Sequence, residues 1–367
     1  MPLAGGELAT ACTPPYVALM IPLSVLDLSF VRSGSRPSAA LHDSISLARH
    51  CDGLGFARYW LAEHHNLPSV ASPAPEIMIG QIAAVTTRIR VGSGGIMLPN
   101  HAPLMVAERF RMLEALFPGR IDLGLGRAPG TDGVTAIALR RHQDQRGGDE
   151  FLERLQELIL WDTGGFPESH PFRRVAAMPS DVRLPPIFLL GSSGYSARLS
   201  AQIGMGFAFA HHFATHDVND AMLAYREGFT PSEWQERPHA ILAVSAITAE
   251  TEAEAQRLAS SQDLSWLRRE TGEFGPLPST EEAAAISYSD GDRQRIARNR
   301  ARMFVGTPHS VRERLLDFAG RTQADEIMIT SAIHDQAARR RSYALLAEAF
   351  GLTAVQTTAH SAAASGA

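Results

Sequence analysis

The chain has 367 residues with a formal net charge of -5 and 20% charged residues, an ordinary globular composition whose acidity excludes a nucleic-acid surface. All 34 basic residues are arginine, which excludes Schiff-base lysine chemistry and the lysine of a Walker A loop. A bound phosphate must then be held by arginine, hydroxyls, backbone N–H groups or helix N-termini.

Residues 1–15 carry an early acid, Glu7, and no basic segment, so they read as a flexible leader rather than a secretory signal. Only Cys12 and Cys51 are present, too few for a disulfide framework; a reducing, cytoplasmic setting is expected. No stretch approaches the roughly 20 apolar residues of a membrane span. A first strand is predicted from Val17 to Leu28, broken or bulged at Pro22. Ser38 then caps a helix whose Leu41, Ile45, Ala48, Cys51 and Leu54 recur at three- and four-residue steps, and Gly55 closes it. Tyr59-Trp60-Leu61-Ala62 is a second strand running into Glu63-His64-His65-Asn66. A helix near Pro75–Val85 follows, with Pro75 suited to its first turn.

The third strand, Ile89 to Ser93, runs into Gly94-Gly95, and a helix is predicted over Pro103–Leu116. The fourth strand, Arg120 to Gly126, ends at Arg127. A helix over Asp149–Trp161 precedes an irregular stretch, 162–184. Pro186 to Leu190 is a buried-strand run that continues into Gly191-Ser192-Ser193-Gly194-Tyr195-Ser196 and a helix ending near Gly204. Gly206–Ala210 is a short strand ending in His211-His212, and Asp217 caps the next helix. Ala240–Ile247 is another strand; residues 262–302, polar with glycine turns, read as an inserted, partly helical cover over the site. Helix Pro308–Phe318, strand Glu326–Thr330 and helix Asp335–Phe350 complete the alternation, and 353–367 read as a disordered tail. Eight strands, apolar throughout, alternate with eight helices, which predicts a single α/β domain over 16–352, a (β/α)8 TIM barrel with insertions. A doubly wound open sheet is the competing fold.

In either fold the site lies at the C-terminal strand ends. Gly124-Leu125-Gly126 fails the dinucleotide fingerprint, because Pro129 stands where its third glycine belongs. The paired histidines do not suggest a metal, since neighbouring side chains in extended backbone point to opposite faces; one histidine facing the mouth as a proton donor or hydrogen-bond partner, with a near-neutral pKa, fits better. Arg127 is available to a phosphate or carboxylate. Gly191 to Ser196 is the best phosphate candidate, with hydroxyls and backbone N–H groups at a helix start; a plain serine N-cap is the alternative. Gly94-Gly95 marks a bulge, an unusual peptide or a close ligand, such as a flat ring against the backbone.

The segments 59–65, 90–99 and 118–127, in this order and at these intervals, resemble the luciferase-like monooxygenases, the flavin-dependent superfamily of bacterial luciferase and alkanesulfonate monooxygenase. The resemblance implies a TIM barrel that binds FMN, supplied as FMNH2 by a partner reductase, rather than deazaflavin F420. It implies oxygenation of a small organic substrate by O2 through a C4a-peroxyflavin. A non-prolyl cis peptide would map onto Gly94-Gly95; His64 would assist chemistry near the flavin, with Glu63 beside it; Arg127 and the Ser192–Ser196 turn would hold the phosphate. Homodimerisation through the second and third helices is a further implication. Gly126 stands where bacterial luciferase has a reactive cysteine, which argues against an identical light-emitting reaction. An F420-dependent hydride-transfer oxidoreductase and a non-catalytic flavin-binding subunit are the alternatives.

Overall fold

The computed structural model describes residues 21–140 and 150–352. The leader, the start of the first strand before Ile21, and the tail fall outside the described residues. The strands are β1 (Leu23–Asp27), β2 (Arg58–Leu61), β3 (Arg90–Ser93), the two-residue β4 (Ile96–Met97), β5 (Ile121–Gly126), β6 (Ile187–Gly191), β7 (Gly206–Ala210), β8 (Ala240–Thr248), β9 (Met303–Gly306) and β10 (Glu326–Thr330). Eight of them pair in parallel in the order β10-β1-β2-β3-β5-β6-β7-β8, and a β8–β10 pairing closes the ring. The architecture is a TIM barrel, and the eight ring strands are those predicted.

The helices are α1 (Pro37–Leu54), α2 (Pro75–Val85), α3 (Pro103–Leu116), α4 (Gly133–Arg140), α5 (Glu150–Thr163), α6 (Gly194–Ile203), α7 (Val218–Glu227), α8 (Glu252–Glu270), α9 (Thr280–Ala284), α10 (Asp290–Arg300), α11 (Pro308–Thr322) and α12 (Gln336–Phe350). Proline opens α1, α2, α3 and α11, where its fixed φ suits the first turn and its missing N–H costs nothing. None of the helices is long and apolar enough to cross a membrane, among the described residues.

The two-residue period of each strand separates two cores. On β2, Tyr59 and Leu61 face the helical shell. Trp60 faces inward, packing with Leu26, Phe188, Ala208, Ile241, Ala243 and Met328. Below this layer, where the strands begin, the barrel interior is ionic. Asp122 accepts hydrogen bonds from Arg58 (2.7 Å), Arg90 (2.6 Å) and the Trp60 indole (3.1 Å), and Glu326 accepts from Arg58 at 3.0 Å. Both carboxylates are fully paired, as their burial requires. The barrel is thus plugged from below, and its open volume lies at the C-terminal strand ends.

The sequence places the cover at 262–302. Its helix α8 begins ten residues earlier, at Glu252, and α9, α10 and β9 follow. The early boundary was hidden because Ser261, Gln262 and Asp263 are buried polar residues that interrupt an apolar period. The segment after α8 is fastened to the loop beyond β1: the Leu277 N–H donates to the Val31 carbonyl at 2.7 Å and its own carbonyl accepts from Ser33 at 2.9 Å. β9 then pairs with the end of β8, Met303 opposite Ser245 and Gly306 opposite Thr248.

Candidate active site

A cavity of about 520 Å³ opens over the barrel, within the roughly 300–1,000 Å³ of small-molecule and cofactor sites. Leu26, Trp60, Ala208 and Met328 form an apolar floor, and the strand tips and α8 form the walls.

His64 lines one wall. Its backbone N–H donates to Ser72 and its Nδ1 lies 3.2 Å from the Gly130 carbonyl. A carbonyl only accepts, so Nδ1 carries the proton and Nε2 is a bare acceptor. Burial lowers its pKa. His212, at the tip of β7, repeats the device: it lines the cavity, its Nδ1 lies 3.3 Å from the Ala243 carbonyl, and burial pushes its pKa down to about 4. Both titrate below the near-neutral value expected from the sequence, which favours the hydrogen-bond partner over the proton donor of that expectation. At neutral pH these two imidazoles are uncharged, because desolvation penalises the cation, and each offers an acceptor nitrogen. His211, its neighbour, turns away and packs on Phe318 with ring centroids 4.7 Å apart.

Glu63 does not reach the cavity. It is fully buried and accepts from the Met97 N–H at 2.8 Å, Asn100 at 3.2 Å, His65 at 2.9 Å and His101 at 3.0 Å. Those donors keep it ionised, with its pKa lowered despite burial. The sequence set Glu63 beside His64 as a catalytic residue; the geometry makes it the brace behind the wall that His64 lines.

The Gly94–Gly95 peptide is cis, at the place the resemblance implied. The chain's own crowding by itself requires glycine at both positions. A Cβ on Gly94 would meet Leu26 Cδ1 at 2.7 Å, and one on Gly95 would meet the Gly124 carbonyl at 2.7 Å. Gly94 faces the cavity; Gly95 lies outside its lining. The Gly124–Gly126 run opens no helix, since α4 starts only at Gly133, in keeping with the rejected dinucleotide fingerprint.

Arg127 also lines the cavity, its guanidinium over the Tyr195 ring at 4.3 Å. Gly191, Ser192, Ser193 and Ser196 face the same cavity, whereas Gly194 and Tyr195 stand behind them. Ser193 occupies the N-cap of α6 but makes no side-chain capping bond. Asp217 and Asp335, at the starts of α7 and α12, do cap their first turns. The plain serine cap is thus overturned: the Ser193 hydroxyl is not spent on the first turn of α6 and faces the cavity beside a positive helix end. Among the described residues no cluster of three or more His, Cys, Asp or Glu is arranged to hold a metal ion.

Of the cover's aromatic residues Trp266, Phe274 and Tyr288, the first lines the cavity and the other two do not. Sequence reasoning missed Trp60, Met97, Gln262, Arg269 and Thr330, all in the lining. Gln262, Trp266 and Arg269 stand at i, i+4 and i+7 of α8, a spacing that would have found them had the helix been extended back to Glu252.

A family model for luciferase-like monooxygenases matches residues 21–326. The chain belongs to the luciferase-like monooxygenases. A luciferase-like monooxygenase of Escherichia coli strain K12 is 41% identical over 325 residues, spanning 89% of this chain and 96% of that one. Apo-MsnO8, a solved crystal structure, is 39% identical with a TM-score of 0.82, covering 91% and 99% of the two chains. The oxygenating constituent of 3,6-diketocamphane monooxygenase of Pseudomonas putida, solved with FMN, shares the fold at a TM-score of 0.66 and 20% identity, over 89% and 97% of the chains.

Proposed function

We propose that this luciferase-like monooxygenase is the oxygenating component of a two-component, FMN-dependent enzyme, in which reduced FMN from a separate reductase, O2 and a small organic substrate meet above Gly94. The observation that carries this reading is the convergence of Arg127 and the uncapped serine turn on the cavity that Gly94 also lines. A solved relative in fold holds FMN. When bound, reduced flavin supplies the electrons that activate O2 for transfer of one oxygen atom.

The chain's own part is binding and shielding. Arg127, the Ser192 and Ser193 hydroxyls and the α6 N–H groups would hold a phosphate by charge-assisted hydrogen bonds. The floor of Leu26, Trp60 and Met328 keeps water from the reacting centre. His64 Nε2 and His212 Nε2 would accept hydrogen bonds, or a proton, from flavin or substrate. Glu63 holds the tip of β2, on which His64 stands, against Met97 and Asn100. Exposed Ile77 (66%), Met112 (56%) and Leu116 (66%) on α2 and α3 form an apolar surface that suits a homodimer. The low cysteine content agrees with a cytoplasmic enzyme.

The test is binding followed by turnover. The protein is titrated with FMN, FMNH2 and F420, and oxygen uptake is followed with a flavin reductase across a panel of organic substrates. We expect FMNH2 binding and substrate-dependent oxygen consumption. Binding of F420 with hydride transfer and no oxygen uptake would replace the proposal with the deazaflavin reading. Flavin binding without turnover on any substrate, unchanged by His64→Ala, would point to a non-catalytic subunit.

A further inference from the structure

One side of α8 carries Gln262, Ser265, Trp266 and Arg269 into the cavity wall. The spacing i, i+3, i+4, i+7 makes this a continuous strip about 10 Å long. It is polar where a helix packed on a core would be apolar. Its cation lacks an acid. Neighbouring arginines in the cover are paired, Arg268 with Glu282 at 3.7 Å and Arg300 with Asp263 at 2.6 Å. Arg269 has no carboxylate within ion-pair distance among the described residues, and burial alone acts on it, lowering its pKa. Its positive field reaches His64 across the mouth.

At the other end of the strip, Gln262 is 8% exposed, and among the described residues its side chain hydrogen-bonds only with the Ser245 hydroxyl, at 3.3 Å. Thr330 stands opposite Ser245 in the β8–β10 register. Thr330 is 6% exposed, lines the cavity, and its Oγ1 has no hydrogen-bond partner among the described residues. A buried hydroxyl left unpaired carries a desolvation cost that a ligand's polar group would relieve.

We infer that the substrate is an organic carboxylate, its anionic group held by Arg269 and a polar group of its body met by Gln262 and Thr330. The guanidinium fork suits a carboxylate bidentately, and Trp266 and Trp60 receive the apolar part. The inference rests on the flavin reading in one respect: Arg127 and the serine turn take the flavin phosphate, leaving Arg269 to the substrate.

The test uses octanoate and its neutral isostere octanamide, titrated calorimetrically into the full-length protein, with FMN titrated separately. Octanoate should bind at least about tenfold more tightly than octanamide. Arg269→Ala should remove that difference while leaving octanamide and FMN affinity and the melting temperature unchanged, and Arg269→Lys should restore part of it. Equal affinity for the two ligands, no octanoate binding, or an unaffected Arg269→Ala variant overturns the inference. So does loss of FMN binding in Arg269→Ala but not in Arg127→Ala, since Arg269 would then hold the phosphate. If the wild type binds no flavin while octanoate still depends on Arg269, the flavin reading falls and the carboxylate site stands.

Discussion

The Met97 backbone N–H donates a 2.8 Å hydrogen bond to the Glu63 carboxylate, tying the tip of β2 to the two-residue strand that follows the cis Gly94–Gly95 peptide. Three further donors converge on the same carboxylate. Removing it orphans buried groups on two strand tips at once. Glu63→Ala is therefore expected to cost about 3 kcal/mol of stability and to weaken flavin binding, while Glu63→Gln, which keeps an acceptor, should cost less. Urea denaturation of the two variants checks this; equal stability of Glu63→Ala and wild type would show the carboxylate is dispensable.

Arg127 and the serine turn should matter to a phosphate and not to the ring. Arg127→Ala and Ser193→Ala are expected to weaken FMN binding by about tenfold or more and to leave riboflavin binding unchanged. Fluorescence titration with both ligands decides; an equal loss for the two would mean that Arg127 acts on the ring or on the fold.

Acid should destabilise the protein earlier than its carboxylates alone would. His211 and His212 both have pKa values lowered from 6.5 to about 4 by burial. Between those values the unfolded chain takes up protons that the folded chain refuses, so stability falls as pH drops from 6.5 toward 4. Each proton contributes at most about 1.4 kcal/mol per pH unit, and less at the partly exposed His211. Asp27 and Glu326, whose pKa values are lowered, lose their contribution only as pH falls through their ordinary values of 3.8 and 4.5 and below. Melting temperatures from pH 7 to 4.5 should decline, and the decline should flatten in a His211→Gln/His212→Gln variant; an unchanged slope would show that other groups titrate in that window.

Arg339 and Asp27 form a 2.8 Å ion pair that is buried on both sides. Asp27 also holds the Ser29 N–H at 3.0 Å and the Tyr59 hydroxyl at 2.5 Å, and Arg339 lies over Phe30, a cavity residue. Arg339→Met leaves a buried carboxylate without its cation and should cost about 3–5 kcal/mol. Adding Asp27→Asn should recover part of that loss in chemical denaturation. Recovery of none would mean that the arginine acts through packing.

The barrel was legible because each ring strand is an apolar run bounded by glycine, proline or charge, and α2 and α3 because proline opens them. What escaped was structure whose burial is not apolar or does not exist. α4 buries no residue, so no period marks it, and β9 is only Met303–Gly306. The site divides the same way. Arg127, His64 and the serine turn follow strands and could be named. Gln262 and Arg269 fell in a stretch read as polar cover, because a wall built to meet a polar ligand has the composition of a surface, and Thr330 was placed only as the end of a strand. Glu63 showed the opposite limit: its type and place suggested chemistry, and only coordinates reveal that four donors already occupy it.

The cover departs from the end of β8 and comes home along the same strand as β9. Its two junctions are therefore neighbours, and the barrel ring is complete without it. Exchange of residues 249–306 as one cassette between homologous chains should transplant substrate preference while the catalytic rim stays in place.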